Sequence, residues 1–539
     1  MKAEKVKIGN KKVMPFTIPS GIVTTEVSCL ERIANEIPEM GILTTKSIGP
    51  EARQGNREPI LAQYCPGGFV NAVGLTNPGA EEFAKRLNSI NFPEDKFLLA
   101  SIFGKNSDEF VYIAKTLEDY VDGFELNLSC PHAKGYGMQL GQDPEIVGEI
   151  TKKVVNETKK PVFAKLTPNA GNIGEIAKSA MSAGAYGITA INTVGPGYHA
   201  VDGNPVLTNK VGGLSGIGII PIGLKCVREI RRAVGKDVPI IGMGGIRTVK
   251  DIESYATVGA NAFGIGSALV GMTEKEIKNY FSALVGDLDS GWTNNAEDLL
   301  KKADMEYRKV RIIEKADCAC NFKIFKTDDN IYAKPGQFVF AWLPGIGEKP
   351  FSIMDDDPLT LGILERGEFT RKINSLQRGD SLYLRGPYGA APSISKDADI
   401  ILVGGGCGVA GIYYLAKHFA KTNKVKTFLG AKDNQHLPYV KEFENFGEVH
   451  IATEDGSSGR KGLVTDLLQE TDLSEQSYFL NCGPKAMVEA VLPLELKISS
   501  LERIYSSVDY MTRCGVGICG SCADKKGRRT CVEGPFVAL

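Results

Sequence analysis

From about residue 40 to residue 270 the chain alternates short apolar runs with amphipathic stretches. ILTTKS, FLLASIF, GFELNLS, VFAKLTP and GITAINT read as buried strands, and PIIGMGG and AFGIGSA continue the series. GAEEFAKRLNSI, SDEFVYIAKTLEDY, PEIVGEITKKVV and IGEIAKSAMSAG carry apolar residues at helical spacing. A period that switches repeatedly between strand and helix marks β/α units. Their number predicts a (β/α)8 TIM barrel, with an open doubly wound sheet as the alternative.

Between about 286 and 304 the pattern lapses into GDLDSGWTNNAEDLLKKAD, a polar stretch that reads as a linker with a turn or more of helix. Residues 305–395 then show β-rich runs (KVRIIE, NFKIFK, QFVFAWL, LTLGILE, DSLYLRG), which predict a small antiparallel barrel. After it ADIILVGGGCGVAGIYYLAKHFA reads as strand, glycine turn and helix. The expected division is a barrel over 1–290, a linker over 291–304, a β-barrel over 305–395, an α/β nucleotide domain over 396–500 and a cysteine-bearing segment over 501–539.

At 539 residues several domains are required. A net charge of −1 gives no electrostatic footprint for nucleic acid or an anionic membrane, so small molecules are the expected ligands. The start is charged, and no apolar run reaches the ~18 residues of a membrane span. We therefore expect a soluble, cytoplasmic protein. In that compartment twelve cysteines point to metal or catalysis rather than disulfides.

Four of them, Cys514, Cys519, Cys522 and Cys531, have the C-x4-C-x2-C spacing of plant-type [2Fe–2S] ligation, with Gly515, Gly517 and Gly520 letting the loop wrap closely. A structural zinc site is the alternative, although zinc more often uses paired C-x2-C knuckles. Gly406, Gly408 and Gly411 spell GxGxxG between a strand and a helix, the arrangement that brings backbone up to a pyrophosphate; NCGPKAM, with Cys482, would close the same pocket.

In the first domain, ELNLSCPH ends a strand with Asn127, Ser129, Cys130 and His132, followed by a glycine-rich loop. Cys130 is either buried filler or a base beneath a lid. Lys46, Lys165 and Asn192 also close strands, where a lysine more readily faces an anion or an electron-rich ring than the core. Gly244 with Gly245, and Gly266 with Ser267, offer backbone N–H groups to one phosphate near the barrel's end.

With these residues in hand, 1–290 resembles the FMN barrel of class 1 dihydroorotate dehydrogenases, and 305–539 resembles the electron-transfer subunit of the class 1B enzymes. The chain thus looks like a fusion of two polypeptides that are separate in the family. The resemblance implies that Cys130 is the catalytic base, and that Lys46, Asn71, Asn127, Asn192 and Thr193 hold dihydroorotate with backbone at Gly74 and Leu75. It implies FMN contacts at Ser20, Gly21, Lys46, Ser47, Asn127, Lys165, Ser215, Gly216, Gly244, Gly245, Gly266 and Ser267. Dihydroorotate, a carboxylate with amide edges, calls for a cation and several asparagines.

The β-barrel half resembles ferredoxin-reductase flavin domains, which implies FAD at Lys349, Phe351, Ser352, Gly367 and Thr370, with lysine standing where the family has arginine. NAD would be the terminal acceptor at Gly406, Gly408 and Gly411, and related barrels imply a homodimer or higher homo-oligomer. The S-C-P-H of Cys130 and His132 is also similar to dihydropyrimidine dehydrogenase, a second reading that NAVGLTNPG and the absence of a large additional iron–sulfur region oppose. A non-catalytic electron carrier with a vestigial barrel is a third, against which Cys130 and the polar strand ends count.

Overall fold

A computed structural model of the chain describes residues 2–128, 140–290, 294–507 and 511–538. The described chain divides into two compact units, Met1–Ala303 with Val516–Arg529, and Asp304–Gly515 with Thr530–Leu539.

The first unit is built on eight parallel strands: β1 (Phe16–Ile18), β2 (Met40–Thr44), β3 (Phe97–Ile102), β4 (Gly123–Asn127), β5 (Val162–Leu166), β6 (Gly187–Ala190), β7 (Ile240–Met243) and β8 (Ala262–Gly264). They close in sequence order, β8 pairing with β1. The TIM barrel expected from the pattern is therefore present, and the open sheet is not. Its first strand precedes residue 40, where the alternation becomes readable, because three residues are too few to show a period.

Alternation along each strand explains how the interior is layered. Ile8, Val13, Ile42, Phe97, Leu99, Phe163 and Ile241 form one apolar cluster, with Ile8 and Val13 supplied by the antiparallel pair Val6–Ile8 and Lys11–Val13. Two residues further along the same strand faces stand Thr44, Ser101 and Lys165, all buried. The barrel is thus apolar at one end and polar at the end where its strands finish. Four helices predicted from periodicity occupy Ala80–Leu87, Ser107–Leu117, Pro144–Glu157 and Ile173–Ser182. Asp143 starts the third, its carboxylate accepting from Glu145 N at 2.8 Å ahead of a proline at the first helical position.

The helix Glu274–Ser290 runs past the point where the apolar pattern lapses. Asp287, 1% exposed, breaks that pattern because its carboxylate accepts from the backbone N–H of Ala296 at 2.9 Å and so caps the short helix Asn295–Asp298.

In the second unit, β9 (Arg308–Ala319), β10 (Phe322–Thr327), β11 (Phe338–Leu343), β12 (Gly347–Asp356), β13 (Leu359–Leu364) and β14 (Ser381–Tyr388) close an antiparallel barrel in the order β9-β10-β13-β12-β11-β14. An α/β sheet follows: β15 (Asp399–Gly405), β16 (Lys424–Ala431), β17 (Glu448–Thr453), β18 (Arg460–Lys461), β19 (Tyr478–Cys482), β20 (Ile504–Ser507) and β21 (Val537–Ala538), ordered β18-β17-β16-β15-β19-β20-β21. Successive residues of β15 face opposite cores, Ile400 and Leu402 on one side and Ile401 and Val403 on the other.

The segment 501–539 is not a unit of its own. β20 and β21 complete the nucleotide sheet, whereas Val516–Arg529 folds with the first barrel. Strands of four and two residues flanking a glycine-rich run leave no periodic signal, which is why the sequence shows one undivided segment.

Candidate functional site

One cavity opens where the strands of the first barrel end, and it gathers nearly every residue the sequence nominated there. Its lining includes Ser20, Gly21, Lys46, Ser47, Asn71, Gly74, Leu75, Asn127, Lys165, Asn192, Thr193, Ser215, Gly216, Gly244, Gly245, Gly266 and Ser267. Cys130 and His132 lie outside the described residues.

The polar groups form one network of two arms, joined where Ser47 Oγ lies 3.4 Å from Ser20 Oγ. Lys165 Nζ, on β5, donates to Ser20 Oγ at 2.9 Å and pairs with Glu125 Oε1 at 3.1 Å. Asn192 Nδ2 donates to Asn127 Oδ1 at 3.2 Å, Asn127 Nδ2 to Ser47 Oγ at 2.9 Å, and Ser47 Oγ lies 2.9 Å from Ser101 Oγ. Such a chain fixes amide orientation, so each asparagine presents a defined donor or acceptor edge to a ligand. Lys46, 6% exposed, stands beside Gly21: a Cβ there would be 3.2 Å from its Nζ.

The strands Leu61–Cys65, Gly68–Asn71, Val211–Gly216 and Val194–Tyr198 form an antiparallel sheet that carries Asn71 and Ser215 to the cavity. Asn71 Nδ2 donates to Gly213 O at 3.2 Å, and Leu75 sits at φ 57, a left-handed turn rare for leucine.

The lining suits FMN. Gly245 has φ 83, and a Cβ on it would run into the carbonyl oxygen of Gly216, so only glycine leaves the backbone cradle a phosphate needs. Lys46 and Lys165 both line the same cavity.

In this unit sequence reasoning missed Glu125 and the part that the late cysteine loop plays in the cavity. Glu125, 1% exposed, reads as one more strand position, yet a charged residue on the strand face that also carries Asn127 was a signal. Ile518 and Cys519 line the cavity too. Their loop is fastened within this unit: Val23 N donates to Ile518 O at 2.7 Å, Thr25 Oγ1 to Cys519 O at 2.7 Å, and Gly271 N to Val516 O at 2.9 Å. Arg529, 1% exposed, ties Gly517 O at 2.8 Å to Met272 O at 2.9 Å.

In the second unit Lys349, Phe351 and Ser352 lie on β12, and Phe351 stacks on Phe369 with ring centroids 6.3 Å apart. Thr370 Oγ1 accepts from Arg366 N at 2.9 Å and Gly367 N at 3.0 Å, starting the helix Glu368–Ser375. Arg366, which the sequence did not single out, donates from Nη2 to Cys407 Sγ at 3.2 Å and so joins this turn to the glycine turn. That turn links β15 to the helix Gly408–Phe419. Gly408 has no room for a Cβ because the carbonyl of Cys482, at the end of β19, occupies that space. NCGPKAM thus abuts GxGxxG between β15 and β19, where the sheet reverses its strand order and open α/β sheets bind ligands.

Cys514, Cys519, Cys522 and Cys531 are each at most 5% exposed and in no disulfide, and buried thiols are the donor type that iron–sulfur ligation uses. The middle two fold with the first unit and the outer two with the second. Among the described residues no group of three or more His, Cys, Asp or Glu is placed to hold a single metal ion, and no helix is long and apolar enough to cross a membrane.

A family profile described as dihydroorotate dehydrogenase matches residues 4–282. The chain belongs to the dihydroorotate dehydrogenase family. The catalytic subunit of dihydroorotate dehydrogenase B (NAD(+)) from Pyrococcus horikoshii is 41% identical over 289 residues, 53% of this chain and 92% of that protein. The subunit of the same name from Pyrococcus furiosus is 45% identical over 262 residues, 47% of this chain and 83% of its own length. That from Thermoplasma volcanium is 43% identical over 267 residues, 48% and 85% respectively. These relatives account for about half of this chain. Within the remainder, residues 402–492 match the oxidoreductase NAD-binding domain.

Proposed function

We propose that the chain oxidises dihydroorotate to orotate and passes the electrons to NAD. The observation that carries this reading is the convergence of Lys46, Asn71, Asn127, Asn192 and Thr193 on one cavity of a dihydroorotate dehydrogenase barrel. FMN in that cavity, a [2Fe–2S] cluster on Cys514, Cys519, Cys522 and Cys531, and FAD at Lys349, Phe351, Ser352, Gly367 and Thr370 supply the electron acceptors between substrate and NAD.

The chain's own residues do the rest. Lys46 meets the substrate carboxylate with the backbone of Gly74 and Leu75, and the asparagines hold the amide edges. Cys130 takes the proton from one ring carbon as its neighbour gives up its hydrogen with two electrons. Glu125 holds Lys165 in place. Gly406, Gly408 and Gly411 let the backbone approach the NAD pyrophosphate. The working form is a cytoplasmic homodimer or higher homo-oligomer.

The test is anaerobic stopped-flow bleaching of the flavin by dihydroorotate and by dihydrouracil, which lacks the carboxylate. A site built around that group leaves buried polar atoms unpaired with the smaller ring, so dihydrouracil is expected to react at least about 10³-fold more slowly. Comparable rates would move the protein to the dihydropyrimidine dehydrogenase reading.

A further inference from the structure

The second unit buries an ion pair outside the residues assigned above to flavin and nucleotide. Arg385, on β14, is 0% exposed; its Nε and Nη2 donate to Glu348 Oε1 and Oε2 at 2.6 and 2.7 Å. Tyr307 Oη donates to the same carboxylate at 2.7 Å, and the guanidinium lies 4.1 Å from the centre of the Phe340 ring. Its remaining nitrogen, Nη1, donates to Tyr388 Oη at 3.1 Å and to the carbonyl oxygen of Cys514 at 2.9 Å.

The strand that carries Arg385 also holds the far side of the cysteine run. Just beyond β14, Ala390 N donates to Gly534 O at 2.5 Å, three residues after Cys531. Between these two anchors Gly515 turns at φ 82, and a Cβ there would stand 2.8 Å from the Phe340 ring and 3.1 Å from that of Tyr388. The run therefore starts on a floor made by Arg385, Phe340 and Tyr388.

A buried ion pair is weak evidence for stability, since well-packed apolar residues of similar volume often serve as well or better. What apolar residues cannot do is present an N–H to a backbone carbonyl. We propose that Arg385, held by Glu348, is a positioning residue for the iron–sulfur cluster: it fixes the backbone of Cys514, and so the place of the first thiolate. This rests on reading the four cysteines as cluster ligands.

The test uses the full chain, reconstituted anaerobically with iron and sulfide, in the double variant Glu348→Leu with Arg385→Met. Melting of the iron-free variant is expected to match the unaltered chain. Iron release to a chelator is expected to be about 10-fold faster, the factor supplied by losing one hydrogen bond from a charged donor, with an altered visible spectrum. Arg385→Lys, which keeps the charge but not the fork, is expected to fall between. Release at the unaltered rate overturns the inference alone. So does a double variant that melts well below the unaltered chain, since the pair is then structural. An unaltered chain that takes up no iron overturns the cluster reading, and the inference with it.

Discussion

Glu125 Oε1 lies 3.1 Å from Lys165 Nζ, and the two side chains are 1% and 4% exposed. Removing one partner of a buried pair costs about 3–5 kcal/mol, because the other charge stays buried without compensation. Glu125→Gln is therefore expected to lower the stability of the first unit by that order and to weaken its hold on flavin. Denaturation followed by circular dichroism and flavin fluorescence measures both. An unchanged midpoint would show that Lys165 is held without the pair.

Cys130→Ala is expected to slow dihydroorotate oxidation by about 10²–10⁴-fold, the usual cost of a lost general base. NADH-driven reduction of an artificial acceptor should continue, since that activity needs only the second half of the chain. Should dihydroorotate turn over normally, the base is another residue.

Gly408→Ala places a methyl group against the carbonyl of Cys482 at the reversal of strand order. We expect NAD-linked turnover to be lost while dihydroorotate still bleaches the barrel flavin. Steady-state NADH formation beside single-turnover bleaching separates the two, and parallel losses would place the damage outside the nucleotide turn.

What could be read in advance followed from distance along the chain. Lys46, Lys165 and Asn192 were legible because a polar residue closing an apolar strand has few places to go except the barrel mouth. Phe16–Ile18 was not, since three residues carry no period. Glu125 was hidden by its neighbours: Phe124 and Leu126 make the strand look uniformly buried, and its partner is forty positions away. The role of Ile518 and Cys519 in the cavity was beyond pattern, because nothing local in RCGVGICGSC points toward Val23 or Thr25. The cysteine spacing itself was plain, whereas its division between the two units depends on packing alone.

Glu495, on the helix Lys485–Ile498, is 0% exposed and accepts a hydrogen bond from Asn481 Nδ2 at 2.8 Å. Burial pushes its carboxyl from 4.5 up to about 8. Between those values the folded chain keeps a proton that the unfolded chain releases, so stability is fully present below the lower value and falls as pH rises toward the upper one. The slope is about 1.4 kcal/mol per pH unit within the window. Glu495→Gln, which cannot ionise, is expected to flatten melting temperature across pH 5 to 8 and to melt higher than the unaltered chain at the alkaline end. A profile as steep as before would assign the dependence to another group.

Thr25 and Cys519 are 494 positions apart, yet one hydrogen bond joins them at the edge of the flavin cavity. On the ribosome β8 is complete at Gly264, long before Ile518 and Cys519, so the nascent barrel waits through nearly half of synthesis with part of that wall missing. The cavity cannot close at Ile518 and Cys519 until that loop is translated, so the order of the gene sets when the barrel mouth gains its last wall.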